Sequence, residues 1–193
     1  MTRALPPLFL TSSRLVLGPL YAHALLALGG AVAAPGAGSA VPAGWGFAGN
    51  ALPLAIAVAA SATDFADGRL ARRLRAESAA GAALDVAADA AFLLCALPAL
   101  ALAGLVSWSL PIAAAAALAA LAVRWRRGGI GPSAGGRSLP DAAGHLAGIV
   151  NYGAVLVASG VPLGVVAPGW LRPASVLVAL LNLAPIALRW RAG

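Results

Sequence analysis

Six acidic residues occur in the 193-residue chain, and four of them, Asp64, Asp67, Asp85 and Asp89, fall within one short stretch. Asp64 and Asp67 stand at i,i+3 and Asp85 and Asp89 at i,i+4, so each pair shares a face if its segment is helical. A tight turn through Glu77, Ser78 and Gly81 would set two such helices antiparallel, with the carboxylate pairs facing each other at similar depth. Four carboxylates brought together resist joint ionisation unless cations compensate them. An all-oxygen set of this kind suits Mg²⁺ or Mn²⁺. Four ligands could hold two ions about 3.5–4 Å apart, an arrangement suited to displacement at phosphorus. No cluster of Cys or His offers zinc an alternative.

The elements that must position these acids are membrane helices. The chain is 61% hydrophobic and only 10% charged, with a mean hydropathy of +0.90; a soluble domain of this size carries about a quarter charged residues. Its apolar runs are long enough to cross a bilayer, roughly 17–25 residues each. We read an all-α integral membrane bundle of six transmembrane helices, forming one domain over residues 1–193, with helices at about 8–33, 52–74, 82–103, 110–123, 142–160 and 173–190. The first opens with the polar stretch Thr11-Ser12-Ser13-Arg14, and a Gly/Pro/Ala-rich loop from Pro35 to about Gly49 separates it from the second. The fourth is rich in alanine and weakly hydrophobic, yet the charge pattern requires it. The N-terminal fifteen residues do not read as a signal peptide, because Arg14 and Pro19 interrupt the apolar region and no good cleavage site closes it. They are expected to stay on the mature protein.

All thirteen basic residues are arginine, and the formal net charge is +7. They lie in short clusters between apolar runs, which marks a cytoplasmic membrane face and argues against nucleic acid as the partner. With both termini cytoplasmic, Arg3, Arg14, the cluster Arg69, Arg72, Arg73 and Arg75, the loop Arg124 to Arg137 and the tail Arg189 and Arg191 share one side. Only Arg172 falls on the other. Cys95, alone in the chain, cannot form an internal disulfide and reads as a small buried hydrophobe.

The stretch Asp64-Phe-Ala-Asp67-Gly68-Arg-Leu-Ala71-Arg72, followed at fixed intervals by Gly81, Asp85 and Asp89, resembles the signature of the CDP-alcohol phosphotransferases, D-x2-D-G-x2-A-R-x8-G-x3-D-x3-D, with every fixed position filled. The resemblance implies metal ligands at Asp64, Asp67 and Asp85, and at Asp89 either a ligand or the general base. It implies small residues where the cytidine nucleotide approaches the backbone (Gly68, Ala71, Gly81), and a diphosphate contact at Arg72. It also implies the activity: a phosphatidyl or similar group moves from a CDP-alcohol such as CDP-diacylglycerol to an acceptor alcohol, with release of CMP, at a site holding two Mg²⁺ or Mn²⁺ ions. A homodimer is expected on the same ground. The first-helix residues Leu10-Thr11-Ser12-Ser13-Arg14, with Pro19 beyond, resemble bacterial phosphatidylglycerophosphate synthases and related cardiolipin synthases. That likeness implies glycerol 3-phosphate, a small phosphorylated alcohol, as acceptor, with Arg14, Arg124 and Arg137 as phosphate contacts, and a bacterial inner membrane with the active site facing the cytoplasm. The chain has no lysine, which departs from that pattern, so inositol phosphate or phosphatidylglycerol stays open as acceptor.

Other polar residues have plainer readings. Arg69, Arg73 and Arg75 suit topology or contact with anionic membrane lipids, and Arg14 can equally be a headgroup anchor. His145, one turn after Asp141, reads as half of a hydrogen-bonded pair or as an acceptor contact. His23 reads as a helix-packing residue. Asn151 and Tyr152 fit either a cavity wall or helix packing. Trp45, Trp108, Trp125, Trp170 and Trp190 fall near helix ends, as interfacial anchors do. Two other functions fit part of this pattern. A divalent-cation transporter would want its acids near the bilayer midplane, whereas these sit toward one face beside arginines. A catalytically silent relative would be free to lose Asp85 and Asp89.

Overall fold

The computed structural model describes residues 5–28, 47–74, 79–126 and 139–190. They form six α-helices: α1 Leu5–Leu28, α2 Phe47–Leu74, α3 Ala79–Leu102, α4 Ser109–Arg126, α5 Leu139–Ser159 and α6 Leu171–Trp190, the last preceded by a single 3₁₀ turn at Pro168–Trp170. No strand occurs among the described residues. Among the described residues four helices are long and apolar enough to cross a membrane, over Ala83–Leu102, Ser109–Arg126, Ala142–Ser159 and Pro168–Leu188. The alanine-rich α4 is one of them. The apolar part of α2, Ala51–Ala66, is shorter, because the helix runs on into Asp67 and the arginines beyond.

Several boundaries differ from those read in the sequence. The helix α2 begins at Phe47, inside the stretch read as loop up to Gly49. Gly81 lies in the first turn of α3 and not in the turn before it. The alanines flanking Gly81 favour helix strongly enough to outweigh one glycine, which costs about 1 kcal/mol relative to alanine. Glu77 and Ser78, the loop from Pro35 to Trp45 and the loop carrying Arg137 lie outside the described residues. Prolines stand inside α1, α2, α3 and α6 (Pro19, Pro53, Pro98 and Pro185). Helices of a membrane bundle tolerate them because neighbouring groups satisfy the freed carbonyls.

The bundle is turned inside out relative to a soluble one. Large apolar side chains such as Val16, Ile112 and Leu177 are about two-thirds exposed, while Arg14, Ser159, Asn151 and Asn182 are buried. Small residues occupy the interhelical contacts: Ala24, Ala57, Ala60, Ala88, Ala96 and Ala158 are almost fully buried. Such residues let helix backbones approach where lipid supplies no hydrophobic drive to association. The buried positions of α1, Thr11, Arg14, Gly18, Tyr21 and Leu25, recur at helical spacing and form one stripe. That stripe faces α3 and α2, its chief neighbours, while α6 packs mainly on α4 and α5. Gly18 sets the closeness of α1 and α3. A Cβ placed there would lie 3.0 Å from Phe92 Cα and 3.3 Å from the Ala91 carbonyl oxygen.

Polar bonds between helices fix the rest of the register. Asn151 of α5 and Asn182 of α6 exchange reciprocal amide hydrogen bonds of 2.8 and 2.9 Å. Tyr21 of α1 meets Ser159 of α5 at 2.7 Å. Ser159 gives its own hydroxyl proton to the Val155 carbonyl, so Tyr21 is the donor. At the end of the bundle reached by the C-terminus of α3, Gly104 adopts a φ of 73°, a conformation that glycine enters without a Cβ penalty. Its carbonyl accepts from Arg172 Nε at 2.9 Å. The Ser107 amide donates to Ser175 Oγ at 2.8 Å, tying the α3–α4 turn to the start of α6.

Candidate active site

Helix direction brings the acids together. Asp64 lies in the C-terminal half of α2, and Asp85 and Asp89 in the N-terminal half of α3. On α3 the face that carries Asp85 and Asp89 continues through the buried Phe92 and Ala96, and Phe92 lies against Gly18 of α1. On α2 the buried positions Ile56, Ala57 and Ala60 lead up to Asp64. One carboxylate oxygen from each of Asp64, Asp85 and Asp89 lies within 4.8 Å of the other two. Asp67, three residues beyond Asp64, is on α2, but its side chain is outside the described ones, as are those of Ala71 and Arg72. Gly68 is on the same stretch of α2, and Gly81 is half-buried at the start of α3.

Arg14 occupies the middle of this cluster. Its guanidinium donates from Nη1 to Asp64 Oδ1 at 2.8 Å, from Nη1 also to Asp89 Oδ1, and from Nη2 to Asp85 Oδ1. The Arg14 side chain is 0% exposed, whereas Asp64, Asp85 and Asp89 are 46%, 43% and 31% exposed. The arginine therefore backs the carboxylates from the bundle interior, and the carboxylates keep an open side toward solvent. Arg14 thus joins the aspartates; Arg124 lies in the last turn of α4, half-buried.

Tyr152, one of two open readings in the sequence, contributes here as well as to packing. Its hydroxyl donates to Asp89 Oδ1 at 2.7 Å. Its ring stacks on Phe92 (centroids 5.3 Å apart, 6° between planes), which in turn packs tilted against Tyr21 at 5.9 Å. Three aromatic rings from α1, α3 and α5 thereby hold the hydroxyl against the carboxylate. Periodicity marks Tyr152 only as an inward position of α5. Nothing local to it points to an acid 63 residues earlier.

Beside the carboxylates opens a cavity of about 720 Å³. Asp64, Asp89, Tyr152 and His145 give it a polar end, and its remaining wall is mostly apolar, built from α3, α4, α5 and α6. Asn151 and Asn182 line it while bonded to each other. His145 is exposed at this polar end; the Asp141 side chain is outside the described ones. Trp108 and Trp170 are half-exposed at helix ends and Trp190 almost fully exposed, as interfacial residues are, and Trp45 lies outside the described residues. The Arg69 guanidinium lies over the Phe65 ring, 5.1 Å from its centroid; both side chains are exposed, and Phe65 also borders the cavity.

The three carboxylates fit a hard divalent cation. Every donor is oxygen, the donor atoms converge, and the three negative charges against one arginine leave an excess of two. Oxygen-only sets of this kind take Mg²⁺, Mn²⁺ or Ca²⁺.

Comparison with known proteins agrees with this chemistry. No curated protein and no solved structure matches the chain. The family model for CDP-alcohol phosphatidyltransferase matches residues 4–184, which include all six helices but for the end of α6. Its members are transferases of substituted phosphate groups, typically dependent on a divalent cation, which removes the transporter and leaves an enzyme. With a model spanning nearly its whole length and the carboxylates assembled as that chemistry requires, the chain belongs to the CDP-alcohol phosphatidyltransferase family.

Proposed function

We propose that this chain moves the phosphatidyl group of CDP-diacylglycerol to glycerol 3-phosphate and releases CMP. It would do so as a single domain crossing a bacterial inner membrane six times, with both termini and the carboxylate end in the cytoplasm. One observation carries the reading: Asp64, Asp85 and Asp89 converge, and two of them, Asp64 and Asp89, line a cavity large enough for a substrate. The sidedness rests on the arginines, which in the topology read from the sequence share the side of the carboxylates with the exception of Arg172.

The residues divide the work. Mg²⁺ held by Asp64, Asp67, Asp85 and Asp89, as two ions, would neutralise the diphosphate oxygens and stabilise CMP as it leaves. Gly68, Ala71 and Gly81 leave room for the cytidine nucleotide against the backbone, and Arg72 meets the diphosphate. Asp89 accepts the proton of the acceptor hydroxyl, whose oxygen forms the new bond to phosphorus as the bond to CMP breaks. Tyr152 orients Asp89 by its 2.7 Å hydrogen bond, leaving the second carboxylate oxygen for the proton. Arg124 and Arg137 are the acceptor's phosphate contacts.

A specific observation favours a second acceptor. Among the described residues no arginine lines the cavity, and its wall is mostly apolar. An alcohol carried on a lipid, such as phosphatidylglycerol, suits that wall better than a small phosphorylated one. Purified protein supplied with CDP-diacylglycerol and Mg²⁺ decides between them when CMP release is measured with glycerol 3-phosphate, phosphatidylglycerol or inositol phosphate in separate reactions. Release with glycerol 3-phosphate alone, lost on chelation and in Asp89→Asn, supports the first reading; release with phosphatidylglycerol alone replaces it with the second. No release with any acceptor, together with no binding of Mg²⁺ or CDP-diacylglycerol, would leave a silent relative.

A further inference from the structure

Arg14 holds the oxygens that an incoming ion would need. Its guanidinium takes Oδ1 of Asp64, of Asp85 and of Asp89 at once, on three partners drawn from two helices. A Mg²⁺ ion coordinated by the same oxygens sits about 2.0–2.1 Å from each. A guanidinium nitrogen and a metal ion cannot share that point, and two cations side by side repel. The arginine is also well placed to wait there. It is fully buried, enters on α1 between the two acid-bearing helices, and is fixed one turn from Gly18, where α1 lies against α3. Three half-exposed carboxylates without it would have no described positive partner.

We propose that Arg14 is a built-in counter-cation that competes with the divalent ion for Asp64, Asp85 and Asp89. It holds the three carboxylates together and sets the ion concentration at which they take up a divalent ion. Loading releases the guanidinium from the carboxylates. The proposal rests on the divalent-cation reading of this site and adds to it a brake on ion affinity.

The test is direct ion binding, independent of turnover. Mn²⁺ binding to purified full-length protein in detergent is measured by electron paramagnetic resonance of the free ion, for wild type, Arg14→Met, Arg14→Lys and Asp85→Asn. Arg14→Met, which keeps length and loses charge, is expected to bind Mn²⁺ about tenfold or more tighter than wild type, because a positive charge next to the ion has been removed. Arg14→Lys keeps the charge without a fork that reaches three carboxylates, so its affinity should fall between the two. The thermal midpoint of Arg14→Met should also depend more steeply on Mn²⁺ than that of wild type. Equal or weaker Mn²⁺ binding in folded Arg14→Met would overturn the proposal. If Arg14→Met folds neither with nor without Mn²⁺, the Arg14→Lys comparison decides, and affinity no tighter than wild type there rejects the idea. The control separates two failures: unchanged Mn²⁺ binding in Asp85→Asn sinks the metal reading itself, whereas loss of binding there with no gain in the Arg14 variants sinks only the competition.

Discussion

Tyr21 and Tyr152 sit at the two ends of one aromatic chain, each with its hydroxyl on a different task, so the same substitution at both separates chemistry from packing. Tyr152→Phe removes one oxygen and leaves the ring stacked on Phe92. What is lost is a 2.7 Å hydrogen bond to the Asp89 carboxylate. Bonds to charged groups contribute about 1.5–3 kcal/mol. Asp89 is 31% exposed, so water replaces part of the lost bond and the lower end, about 1.5 kcal/mol, applies. If the bond holds Asp89 in its reactive orientation, that energy appears in the barrier as roughly a tenfold drop in kcat, with KM for the CDP-alcohol little changed. Tyr21→Phe removes an equally short bond, to buried Ser159, far along α5 from the carboxylates. It should cost about 1 kcal/mol of stability, or a fall of roughly 2–4 °C in thermal midpoint for a chain of this length, and leave kcat alone. Steady-state CMP release and thermal unfolding in detergent, run on both variants, give four numbers. A kcat for Tyr152→Phe within twofold of wild type would refute the orienting role. So would an equal kcat loss in Tyr21→Phe, which would show that any disturbance of the aromatic chain has the same effect.

Paired glycines test the closeness of α1 and α3. Gly18→Ala places a methyl 3.0 Å from Phe92 Cα and should destabilise by about 1–3 kcal/mol. Gly148→Ala meets nothing within 4 Å and should stabilise by up to about 1 kcal/mol through helix propensity; thermal unfolding of the two should move in opposite directions. Asn182→Leu leaves buried Asn151 without its α6 partner and should cost about 1–3 kcal/mol, most of it recovered when Asn151→Leu is added. Recovery is read as the coupling energy in a double-mutant cycle of unfolding midpoints. Chelation of divalent ions, or Asp64→Asn, should abolish CMP release while leaving the helical circular-dichroism signal in place. Activity that survives chelation would separate the carboxylates from metal chemistry.

How much of this was legible beforehand depends on the separation in sequence of the residues involved. The convergence of Asp64, Asp85 and Asp89 was legible because it needs only two antiparallel helices, with Asp85 and Asp89 at i,i+4 on one face of the second. The helices themselves were legible from apolar length, even α4, whose alanines carry only a weak signal. Arg14 was not. A single arginine near the start of an apolar helix looks the same whether it anchors to headgroups or turns inward, and its partners lie 50 to 75 residues away. The contact is set by Gly18, whose meaning appears only when Phe92 lies opposite it. Tyr152 escaped for the same reason. Gly81 taken alone reads as a turn residue, but the four alanines around it carry the helix through it.

The two ends of the bundle are tied differently. At the end away from the acids, Arg172, Ser175, Ser107 and the Gly104 carbonyl form a knot of backbone and side-chain hydrogen bonds joining α3, α4 and α6. The carboxylate end is joined through charged side chains, Arg14 of α1 bonding Asp64 of α2 and both Asp85 and Asp89 of α3. A rod that tilts about the knot acts as a lever on the far tip. From Gly104 to Asp85 the lever arm along α3 is ~28 Å, so a tilt of roughly 5° about the knot displaces the carboxylates by ~2 Å. That is comparable to one coordination bond. Small angular play at the remote fulcrum is therefore enough to open and close the distance over which the acids act together, without unfolding a single turn of helix.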